Sequence, residues 1–350
     1  MGTGRGREEY VPFPAADVIL PCVTPAALRD AIARFPSLPL LVGAPTPIER
    51  MPRLRAALGG GPELLIKRDD AIAFGFGGNK VRKLALVAAR AQADGADTLI
   101  TAGGLQSNHA RATAAAAARL GMRAVLVANG TPPDRPTANA LLDRLLGAEI
   151  VYVADRSQRA ARMDEIAARL RAEGRRPFTI PIGASTPLGA LGYALAVAEL
   201  VEQIPPPDVI IHSTSSGGTQ AGLVAGCRLL ELPTRVLGIS ADESAASLTS
   251  TIATIVEGCG ELLTDVARRL QPSNQAIDVD DRFVGDGYGV PTAASREALQ
   301  LAARCEAIFL DPTYTAKAMA GLIACVRQRR FTDSETVLFW HTGGQVALFA

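Results

Sequence analysis

The chain lacks an excess of charge of either sign. Its 36 lysine and arginine residues are balanced by 35 aspartate and glutamate residues, which leaves a formal net charge of +1. Proteins that bind nucleic acid or an anionic membrane usually carry a basic patch or a large positive charge. We therefore expect that this protein binds neither nucleic acid nor a membrane surface.

Cysteine and histidine are scarce, and neither is spaced like a set of metal ligands. The five cysteines lie far apart and are odd in number, which argues against a zinc site or a framework of disulfides. The three histidines form no HExxH motif or related metal-binding pattern. We therefore expect no metal ion, and reduced thiols in a cytoplasmic protein. The cysteines are Cys22, Cys227, Cys259, Cys305 and Cys325.

Long hydrophobic runs are also missing. A membrane-spanning helix needs about 20 apolar residues, whereas the alanine-rich run 112–118 is bounded by Arg111 and Arg119. No apolar segment typical of a secretory signal follows the N-terminus. With 48% hydrophobic and 20% charged residues, the composition is that of a globular protein. We expect a soluble protein of about two domains, on the usual prior for this length.

From Glu63 onwards, strand-like apolar runs alternate with helix-like patterns. The predicted strands are 63–68, 98–102, 124–128, 149–153, 178–180, 208–213, 235–240 and 336–340. The predicted helices are 79–93, 108–120, 137–146, 163–172, 188–203, 218–230, 293–305 and 316–327. An earlier helix-like pattern follows Thr46 and Pro47. Because strand-helix alternation with continuous apolar strands is typical of buried parallel sheets, we predict an α/β fold.

Glycine- and serine-rich turns follow three of the predicted strands, at 103–109, 213–222 and 341–344. Ligands of open α/β sheets bind beyond the carboxyl ends of the strands, where such turns lie. The three turns therefore predict one ligand site assembled from distant parts of the chain.

The turn at 215–219 is suited to a single phosphate. Its glycines let backbone N–H groups approach an anion, and the following helix contributes the positive end of its dipole. No lysine follows the glycines as in a Walker A loop, and the G-x-G-x-x-G spacing of dinucleotide folds is missing. The alternative is a tight structural turn with a serine cap. The residues concerned are Ser215, Ser216, Gly217, Gly218 and Thr219.

Lys80 lies in the segment GGNKVRKL, residues 77–84, at the start of a long helical pattern. A helix N-terminus and the neighbouring cations Arg82 and Lys83 disfavour the charged amine, and the neutral amine is the form that makes a Schiff base. The alternative is a solvated basic turn. In a second turn, QSNH at 106–109, helix capping explains one polar residue but not four in a row.

A lysine at a helix start, a loop for one phosphate, and no metal or nucleotide motif together predict a phosphate-bearing aldehyde cofactor. Pyridoxal 5'-phosphate has this chemistry.

Six segments resemble, in content and order, the family of 1-aminocyclopropane-1-carboxylate deaminase and D-cysteine desulfhydrase. They are GGNKVRKL at 77–84, QSNH at 106–109, SSGGTQAGL at 215–223, GYG at 287–289, DPTYTAKAMAGL at 311–322 and HTGG at 341–344. The resemblance covers about residues 40–350. It implies the tryptophan synthase β-like fold (fold type II), with two open parallel-sheet domains and the cofactor in the cleft. The implied large domain is 1–83 with 183–350, and the small inserted domain is 84–182. It also implies a homodimer.

The resemblance assigns roles residue by residue. Lys80 resembles the Schiff-base lysine, and Asn108 resembles the partner of the phenolic oxygen of the cofactor. The loop 215–219 matches the phosphate loop, and residues 107–109 (Ser107, Asn108 and His109) match the substrate-binding turn. The implied catalytic residues are Lys80, Ser107, Tyr288 and Tyr314.

Two positions distinguish the branches of the family. Thr315 and Thr342 stand where the deaminase has an acidic residue and a leucine, as in the desulfhydrase branch. A threonine hydroxyl near the pyridine nitrogen holds no proton there, so the ring is a weaker electron sink, which favours β-elimination over transamination. His109 also indicates the desulfhydrase, whereas Gln220 indicates the deaminase.

The sequence therefore predicts a lyase of amino-acid metabolism that converts D-cysteine to pyruvate, sulfide and ammonia. Alternatives within the family are cyclopropane opening, cysteate desulfonation and β-replacement. A pyridoxal-phosphate-binding protein without turnover and a phosphosugar-binding protein are the alternatives from other classes.

Overall fold

The computed structural model describes residues 23–264, 270 and 277–350. Residues 1–22 of the N-terminal arm, with Cys22, and residues 265–269 and 271–276 lie outside the described residues. The helices are α1 (Pro25–Ala33), α2 (Pro39–Val42), α3 (Pro52–Ala57), α4 (Asn79–Ala93), α5 (Asn108–Leu120), α6 (Ala138–Leu145), α7 (Arg159–Ala172), α8 (Pro187–Gln203), α9 (Gly218–Leu229), α10 (Ala245–Leu262), α11 (Ala293–Glu306) and α12 (Thr315–Arg327). The strands are β1 (Ile48–Arg50), β2 (Glu63–Arg68), β3 (Thr98–Gly104), β4 (Arg123–Asn129), β5 (Glu149–Val153), β6 (Pro177–Thr179), β7 (Val209–Thr214), β8 (Arg235–Ser240), β9 (Asp278–Asp280) and β10 (Thr336–His341).

The described strands form two sheets. One has the order β1-β2-β10-β7-β8-β9, and the other has the order β5-β4-β3-β6. Strand β1 pairs with β2 in antiparallel fashion, and the other pairs are parallel. All eight predicted strands and all eight predicted helices are present, with ends that differ by a few residues. The prediction of buried parallel sheets is therefore confirmed.

Both sheets are covered by helices on their two faces. Helices α8, α9 and α10 pack on one face of the larger sheet, and α11 and α12 pack on the other. Helices α4 and α5 cover one face of the smaller sheet, and α7 covers the opposite face. Helices α8 and α9 approach so closely that a Cβ at Gly222 would lie 2.2 Å from the Ala190 carbonyl oxygen. Only glycine fits at that crossing.

The sequence predicted a helix directly after Thr46 and Pro47, and the start of that helix is wrong. Residues 48–50 form β1 instead, and the helix α3 begins at Pro52. The Arg68 N–H donates to the Pro47 carbonyl at 3.0 Å, and the Met51 N–H donates to the Leu64 carbonyl at 2.8 Å. Residues 48–50 therefore pair with the edge of β2. The backbone hydrogen bonds of this pairing outweigh the local preference of the segment for a helix.

Helix α10 was not predicted. Its buried residues Leu248, Ile252, Ile255, Val256 and Cys259 recur at helical spacing and pack into the core of the larger sheet.

Among the described residues, no helix is long and apolar enough to cross a membrane. The described part of the chain also contains no group of three or more His, Cys, Asp or Glu side chains placed to hold a metal ion.

Candidate active site

A cavity of about 300 Å³ lies where the carboxyl ends of strands from both sheets meet. Its wall includes the ends of β3, β4 and β7 and the segments that follow β8 and β10. This is the position at which α/β sheets bind ligands. The three glycine- and serine-rich turns therefore converge on one cavity, as the sequence predicted.

Most of the predicted site residues line this cavity, and two do not. Gly218 and Thr315 are absent from its wall. The predicted residues in the wall are Lys80, Ser107, Asn108, His109, Ser215, Ser216, Gly217, Thr219, Tyr288, Tyr314 and Thr342.

Lys80 is the second residue of α4, and the turn before it is built by glycine. Gly78 has a φ of 94°, and a Cβ there would lie 2.9 Å from the Thr342 carbonyl oxygen. The Asn79 N–H donates to the same carbonyl at 3.0 Å, which joins the start of α4 to the end of β10. Burial lowers the pKa of the Lys80 amine to about 8, while a hydrogen bond with Lys83 acts in the opposite direction. The amine is therefore partly neutral near physiological pH.

The two cations that the sequence placed beside Lys80 behave differently. Arg82 does not act on the amine, because its guanidinium pairs with Asp69 at 2.8 Å and with Glu199 at 2.9 Å. Lys83 is fully buried, and burial followed by repulsion from Lys80 holds its pKa well below the usual range. Its Nζ donates to Ser185 Oγ at 3.3 Å. Lys83 is three residues from Lys80 and thus on the same helix face, a spacing visible in the sequence.

The loop 215–219 forms a cradle at the start of α9. Gly217 adopts a φ of 75°, a left-handed conformation that favours glycine. Ser185 lies behind the loop, where its Oγ contacts Ser216 Oγ at 2.8 Å and accepts from the Gly218 N–H at 3.3 Å. A Cβ at Gly218 would lie 2.6 Å from Ser185 Oγ, so a glycine is needed here for Ser185 to approach the loop. Gly218 itself does not line the cavity. Ser185 is a site residue that sequence reasoning missed.

Asn108 is held by a buried residue that sequence reasoning also missed. Asn139 is fully buried, and its Nδ2 donates to Asn108 Oδ1 and to the Gln106 carbonyl, both at 2.9 Å. Arg111 donates to Asn139 Oδ1 at 3.1 Å. Because arginine can only donate, this contact fixes which end of the Asn139 amide faces Asn108. The Asn108 Nδ2 group is therefore left as a donor.

Ser107 and His109 have structural contacts as well as cavity positions. Ser107 caps α5, since its Oγ accepts from the Ala110 N–H at 3.2 Å. The Thr101 hydroxyl donates to the Ile180 carbonyl at 2.8 Å, so it accepts from His109 Nε2, also at 2.8 Å. Burial and then the nearby lysines hold the pKa of His109 well below its usual range. His109 is therefore neutral.

Tyr288 and Tyr314 form a hydrogen-bonded pair in the cavity wall. Their hydroxyl oxygens are 2.5 Å apart, and their rings meet edge to face with centroids 5.8 Å apart. Burial raises the pKa of Tyr314 well above the usual value, and partial loss of water around the Tyr288 hydroxyl, whose ring is partly exposed, raises the pKa of Tyr288 in the same direction. Both are therefore protonated at neutral pH and can act as hydrogen-bond donors.

The two threonines predicted near the cofactor ring differ in position. Thr342 lies in the cavity wall. Thr315 is fully buried, where its Oγ1 donates to Asp311 Oδ1 at 2.7 Å and accepts from the Asp311 N–H at 2.8 Å. Its hydroxyl hydrogen is thus engaged, and the structure does not bring it to the cavity.

Gln220 and His212 also lie outside the cavity wall. Gln220 is fully buried, and its Nε2 donates to the Asp278 carbonyl at 2.6 Å, which ties α9 to β9. His212 is fully buried in β7, its Nδ1 lies 2.9 Å from the Ser213 carbonyl oxygen, and burial lowers its pKa to about 4. His212 is thus the core histidine that its strand position indicates.

Charged residues at the cavity mouth were not anticipated. Arg156 and Arg159 follow β5, and Asp242 and Glu243 follow β8. Arg156 pairs with Glu243 at 3.1 Å and with Asp242 at 3.6 Å, which joins the two sheets across the opening. No motif in the sequence relates these segments.

The residues fit pyridoxal 5'-phosphate. Lys83 is buried beside the loop 215–219 through Ser185, and it has no carboxylate partner among the described residues. Burial lowers the pKa of Lys83, so its charged form needs an anion nearby. A phosphate held by the loop 215–219 provides that anion. The partly neutral amine of Lys80 suits the aldehyde.

The comparisons with known proteins agree with this fit. Residues 40–343 match the family described as pyridoxal-phosphate dependent enzyme. A relative named D-cysteine desulfhydrase, from Klebsiella pneumoniae subsp. pneumoniae, is 42% identical over 327 residues, which cover 91% of this chain and 97% of the relative. A second one, from another strain of that species, is 41% identical over 328 residues and covers 91% of this chain and 97% of the relative.

The fold is shared with solved structures. A structure described as an ACC deaminase homologue is similar with a TM-score of 0.85 and 34% identity, covering 92% of this chain and 96% of that one. A threonine deaminase isoform from Solanum lycopersicum is similar in fold, with a TM-score of 0.66 and 18% identity over 98% of this chain and 95% of that one. The predicted fold type II class is thus confirmed. The chain belongs to the pyridoxal-phosphate dependent enzymes, and pyridoxal 5'-phosphate is its cofactor.

Proposed function

We propose that the protein catalyses β-elimination from a small amino acid, with D-cysteine converted to pyruvate, sulfide and ammonia. The observation that carries this proposal is that the Lys80 amine and the hydroxyl pair of Tyr288 and Tyr314 line the same cavity as the loop 215–219. The relatives named D-cysteine desulfhydrase support the choice of substrate.

Each cavity residue has a proposed role. When bound, the cofactor supplies an aldehyde that joins to amines and a ring that withdraws electrons from the α-carbon. Lys80 would hold the cofactor through Nζ until the substrate amine takes its place, and the released Nζ amine would then accept the α-proton. The loop 215–219 binds the phosphate, and the Nδ2 of Asn108 donates to the phenolic oxygen. Ser107, Asn108 and His109 form the turn that receives the substrate carboxylate at the start of α5.

The tyrosine pair is suited to the leaving group. A phenol is already protonated at neutral pH, and the raised pKa values of Tyr288 and Tyr314 keep it so. We assign Tyr288 and Tyr314 the task of donating a hydrogen bond, and then a proton, to the departing sulfur. Thr342 provides a hydroxyl rather than a carboxylate near the ring. This arrangement favours loss of a β-substituent over transamination.

Opening of a cyclopropane amino acid is the second candidate. It is favoured by the 34% identity to the ACC deaminase homologue. Gln220, the residue that indicated this branch, is a core residue bonded to the Asp278 carbonyl and does not line the cavity. It therefore adds little to that alternative, and we retain β-elimination.

The domain division and the assembly are also proposals. We place the small domain at residues 84–182, between the two parts of a large domain formed by 1–83 and 183–350. The separate sheet of β3 to β6 supports this division. We propose a cytoplasmic homodimer, in line with the family resemblance.

Steady-state assays test the reaction. Purified enzyme is incubated with both enantiomers of cysteine and β-chloroalanine, with serine and with 1-aminocyclopropane-1-carboxylate, while pyruvate, sulfide, ammonia and 2-oxobutyrate are measured. We expect kcat/KM to be highest for D-cysteine or β-chloro-D-alanine, lower for serine and lowest for the cyclopropane, because thiolate and chloride leave more readily than hydroxide or carbon. Faster formation of 2-oxobutyrate from the cyclopropane than of pyruvate from either cysteine would refute the proposal.

A further inference from the structure

Asp69 contacts the chain on both sides of Lys80. Its carbonyl accepts from the Gly78 N–H at 2.9 Å, two residues before the lysine. Its carboxylate accepts from Arg82, two residues after the lysine, through Nε at 2.9 Å and Nη2 at 2.8 Å. Asp69 is fully buried in the turn that follows β2. The start of α4 is therefore held at two points by a single residue.

Arg82 lies on the face of α4 that is turned away from Lys80. Residues two positions apart in a helix are separated by about 200° around its axis, and Lys80 lines the cavity whereas Arg82 does not. Helix α8 packs behind α4, where a Cβ at Gly192 would lie 2.3 Å from the Arg82 carbonyl oxygen. The Arg82 guanidinium also donates to Glu199 of α8, at 2.9 Å and 3.0 Å. Arg82 thus anchors α4 on the side opposite the cavity.

The carboxylate of Asp69 also holds β10, which leads to the cavity residue Thr342. Trp340 is fully buried two residues before Thr342, and its Nε1 donates to Asp69 Oδ2 at 2.8 Å. Tyr193 of α8 donates to the same oxygen at 2.6 Å. Asp69 therefore fixes α4, β10 and α8 relative to one another. Helix α4 and the segment after β10 both contribute to the cavity wall.

The charges around Asp69 balance. Burial opposes its ionisation, but the Arg82 charge and the hydrogen bonds from neighbouring donors lower the pKa of Asp69 overall. Glu199 pairs with Arg82 and also with Lys67, at 2.6 Å, so two acids face two bases. A buried ion-pair cluster adds little stability compared with apolar residues of similar volume. What its directed hydrogen bonds provide is a single arrangement of the elements that carry them.

We propose that Asp69 is a positioning residue for Lys80, which keeps the reacting amine in one place relative to β10 and the bound cofactor. The inference rests on the role given to Lys80 in the proposed function. A misplacement of about 1 Å at a reacting group can cost about 100-fold in rate. Loss of the contacts of Asp69 should therefore appear in the rate at which Lys80 joins the cofactor.

A charge-neutral double variant tests this role. Asp69→Asn with Arg82→Gln removes both charges of the pair, so neither is left buried alone. Capture of pyridoxal 5'-phosphate by the full-length apoenzyme is followed by stopped-flow absorbance over a range of pH. We expect the rate at the high-pH plateau to fall by about 10- to 100-fold, while the midpoint stays at about 8 because burial still lowers the pKa of Lys80. A general loosening of the fold would admit water and raise the midpoint toward the usual pKa of lysine, and that result would refute the inference.

The matched control removes the other ion pair of the cluster. Lys67→Met with Glu199→Gln also eliminates a pair without leaving an unpaired charge, but Asp69 keeps its contacts with Arg82. This variant should keep the plateau rate of the wild type. An equal fall in both double variants would overturn the assignment to Asp69.

Arg82→Lys decides the question if the first double variant does not fold. Lysine keeps the charge but loses the two parallel hydrogen bonds to Asp69, so the plateau rate should fall by about 10-fold, the effect of one lost hydrogen bond. An unchanged plateau in this variant would refute the inference. Trp340 is the only tryptophan in the chain, so its fluorescence shows whether the surroundings of Asp69 remain folded in each variant.

Chemical labelling separates this inference from the proposed function. Borohydride reduction and peptide mapping identify the lysine that has captured the cofactor in the wild type and in each variant. If Lys80 is labelled and the variants of Asp69 and Arg82 capture the cofactor as fast as the wild type, the inference is refuted and the proposed function is intact. A label on another lysine in the wild type refutes the role of Lys80 and with it the proposed function.

Discussion

Asn139 donates from Nδ2 to Oδ1 of Asn108 at 2.9 Å, from a fully buried position in the first turn of α6. Arg111 donates to the other end of the same amide at 3.1 Å. The three residues thus form a chain in which each hydrogen bond has one direction only. Asn108 is oriented as a donor toward the cavity before any ligand arrives.

We expect Asn139→Asp to weaken cofactor binding through Asn108. An aspartate keeps the size of the side chain and still accepts from Arg111, but it cannot donate, so Asn108 loses its fixed orientation. Cofactor affinity should fall by about 10-fold, the effect of one net hydrogen bond of about 1 kcal/mol or slightly more. Titration of the apoenzyme with pyridoxal 5'-phosphate, followed by absorbance, measures this affinity.

A double-mutant cycle with Asn108→Ala provides the control. If Asn139 acts through Asn108, the double variant should bind the cofactor no worse than Asn108→Ala alone. Additive losses would show that Asn139 acts elsewhere, and Asn139 would then be a general structural residue.

The second prediction concerns the pH dependence of the Lys80 amine. The pKa of Lys80 is lowered to about 8 by burial. Only the neutral amine attacks an aldehyde, so the rate of cofactor capture by the apoenzyme should rise with pH and level off above a midpoint of about 8. Stopped-flow absorbance over a range of pH measures this rate.

Chemical labelling checks the identity of that lysine. Borohydride reduction of the yellow holoenzyme followed by peptide mapping should mark Lys80, and Lys80→Ala should leave the cofactor unlinked. A label on Lys83 or Lys317 would mean that the assignment is wrong.

The third prediction tests whether Ser107 only caps α5 or also contacts the substrate. Its Oγ accepts from the Ala110 N–H, but the hydroxyl hydrogen remains free to face the cavity. We expect Ser107→Ala to lose about 1 kcal/mol of stability as a missing cap does, and to lose about 100-fold in kcat/KM if the hydroxyl assists the reaction. Thermal unfolding and steady-state assays measure the two effects.

Thr24→Ala is the matched capping control. Thr24 caps α1 by accepting from the Ala27 N–H at 3.1 Å, and it does not line the cavity. It should lose stability and keep full activity. Equal activity in both variants would reduce Ser107 to a helix cap.

Much of the fold and the site could be predicted from local patterns. The turns at 103–109, 213–222 and 341–344 each follow a parallel strand, and the carboxyl ends of parallel strands meet at one edge. Such a rule brings Ser107, Thr219 and Thr342 toward a common cavity without any knowledge of the tertiary structure. The apolar spacing of α10 was also present in the sequence, although the prediction did not use it.

The features of the site that the sequence did not predict depend on contacts between segments that no local sequence pattern relates. Arg156 and Glu243 are separated by 87 positions and lie after strands of different sheets, yet they meet across the cavity mouth at 3.1 Å. Thr315 and Gln220 stand inside recognisable motifs, but their side chains are bonded to Asp311 and to the Asp278 carbonyl. A motif identifies a position in the chain, whereas side-chain direction is set by packing.

Lys317 leads to the last prediction. It is fully buried, and its Nζ donates to the carbonyls of Val284 at 2.7 Å, Gly287 at 2.9 Å and Ala241 at 3.3 Å. These contacts hold the loop that carries Tyr288. In Lys317→Met these three carbonyls lose their donor, which should cost about 1–3 kcal/mol for each one that water cannot reach. The loop should loosen and Tyr288 should leave its 2.5 Å contact with Tyr314.

The expected result for Lys317→Met is therefore a fall in kcat of about 10-fold or more, as for a displaced proton donor, with little change in cofactor affinity. Lys67→Met is the matched control, because Lys67 is equally buried but bonds Glu199 at 2.6 Å and does not contact the Tyr288 loop. That variant should lose stability and keep its kcat. If both variants lose kcat in proportion to stability, Lys317 supports the fold alone and the loop does not position Tyr288.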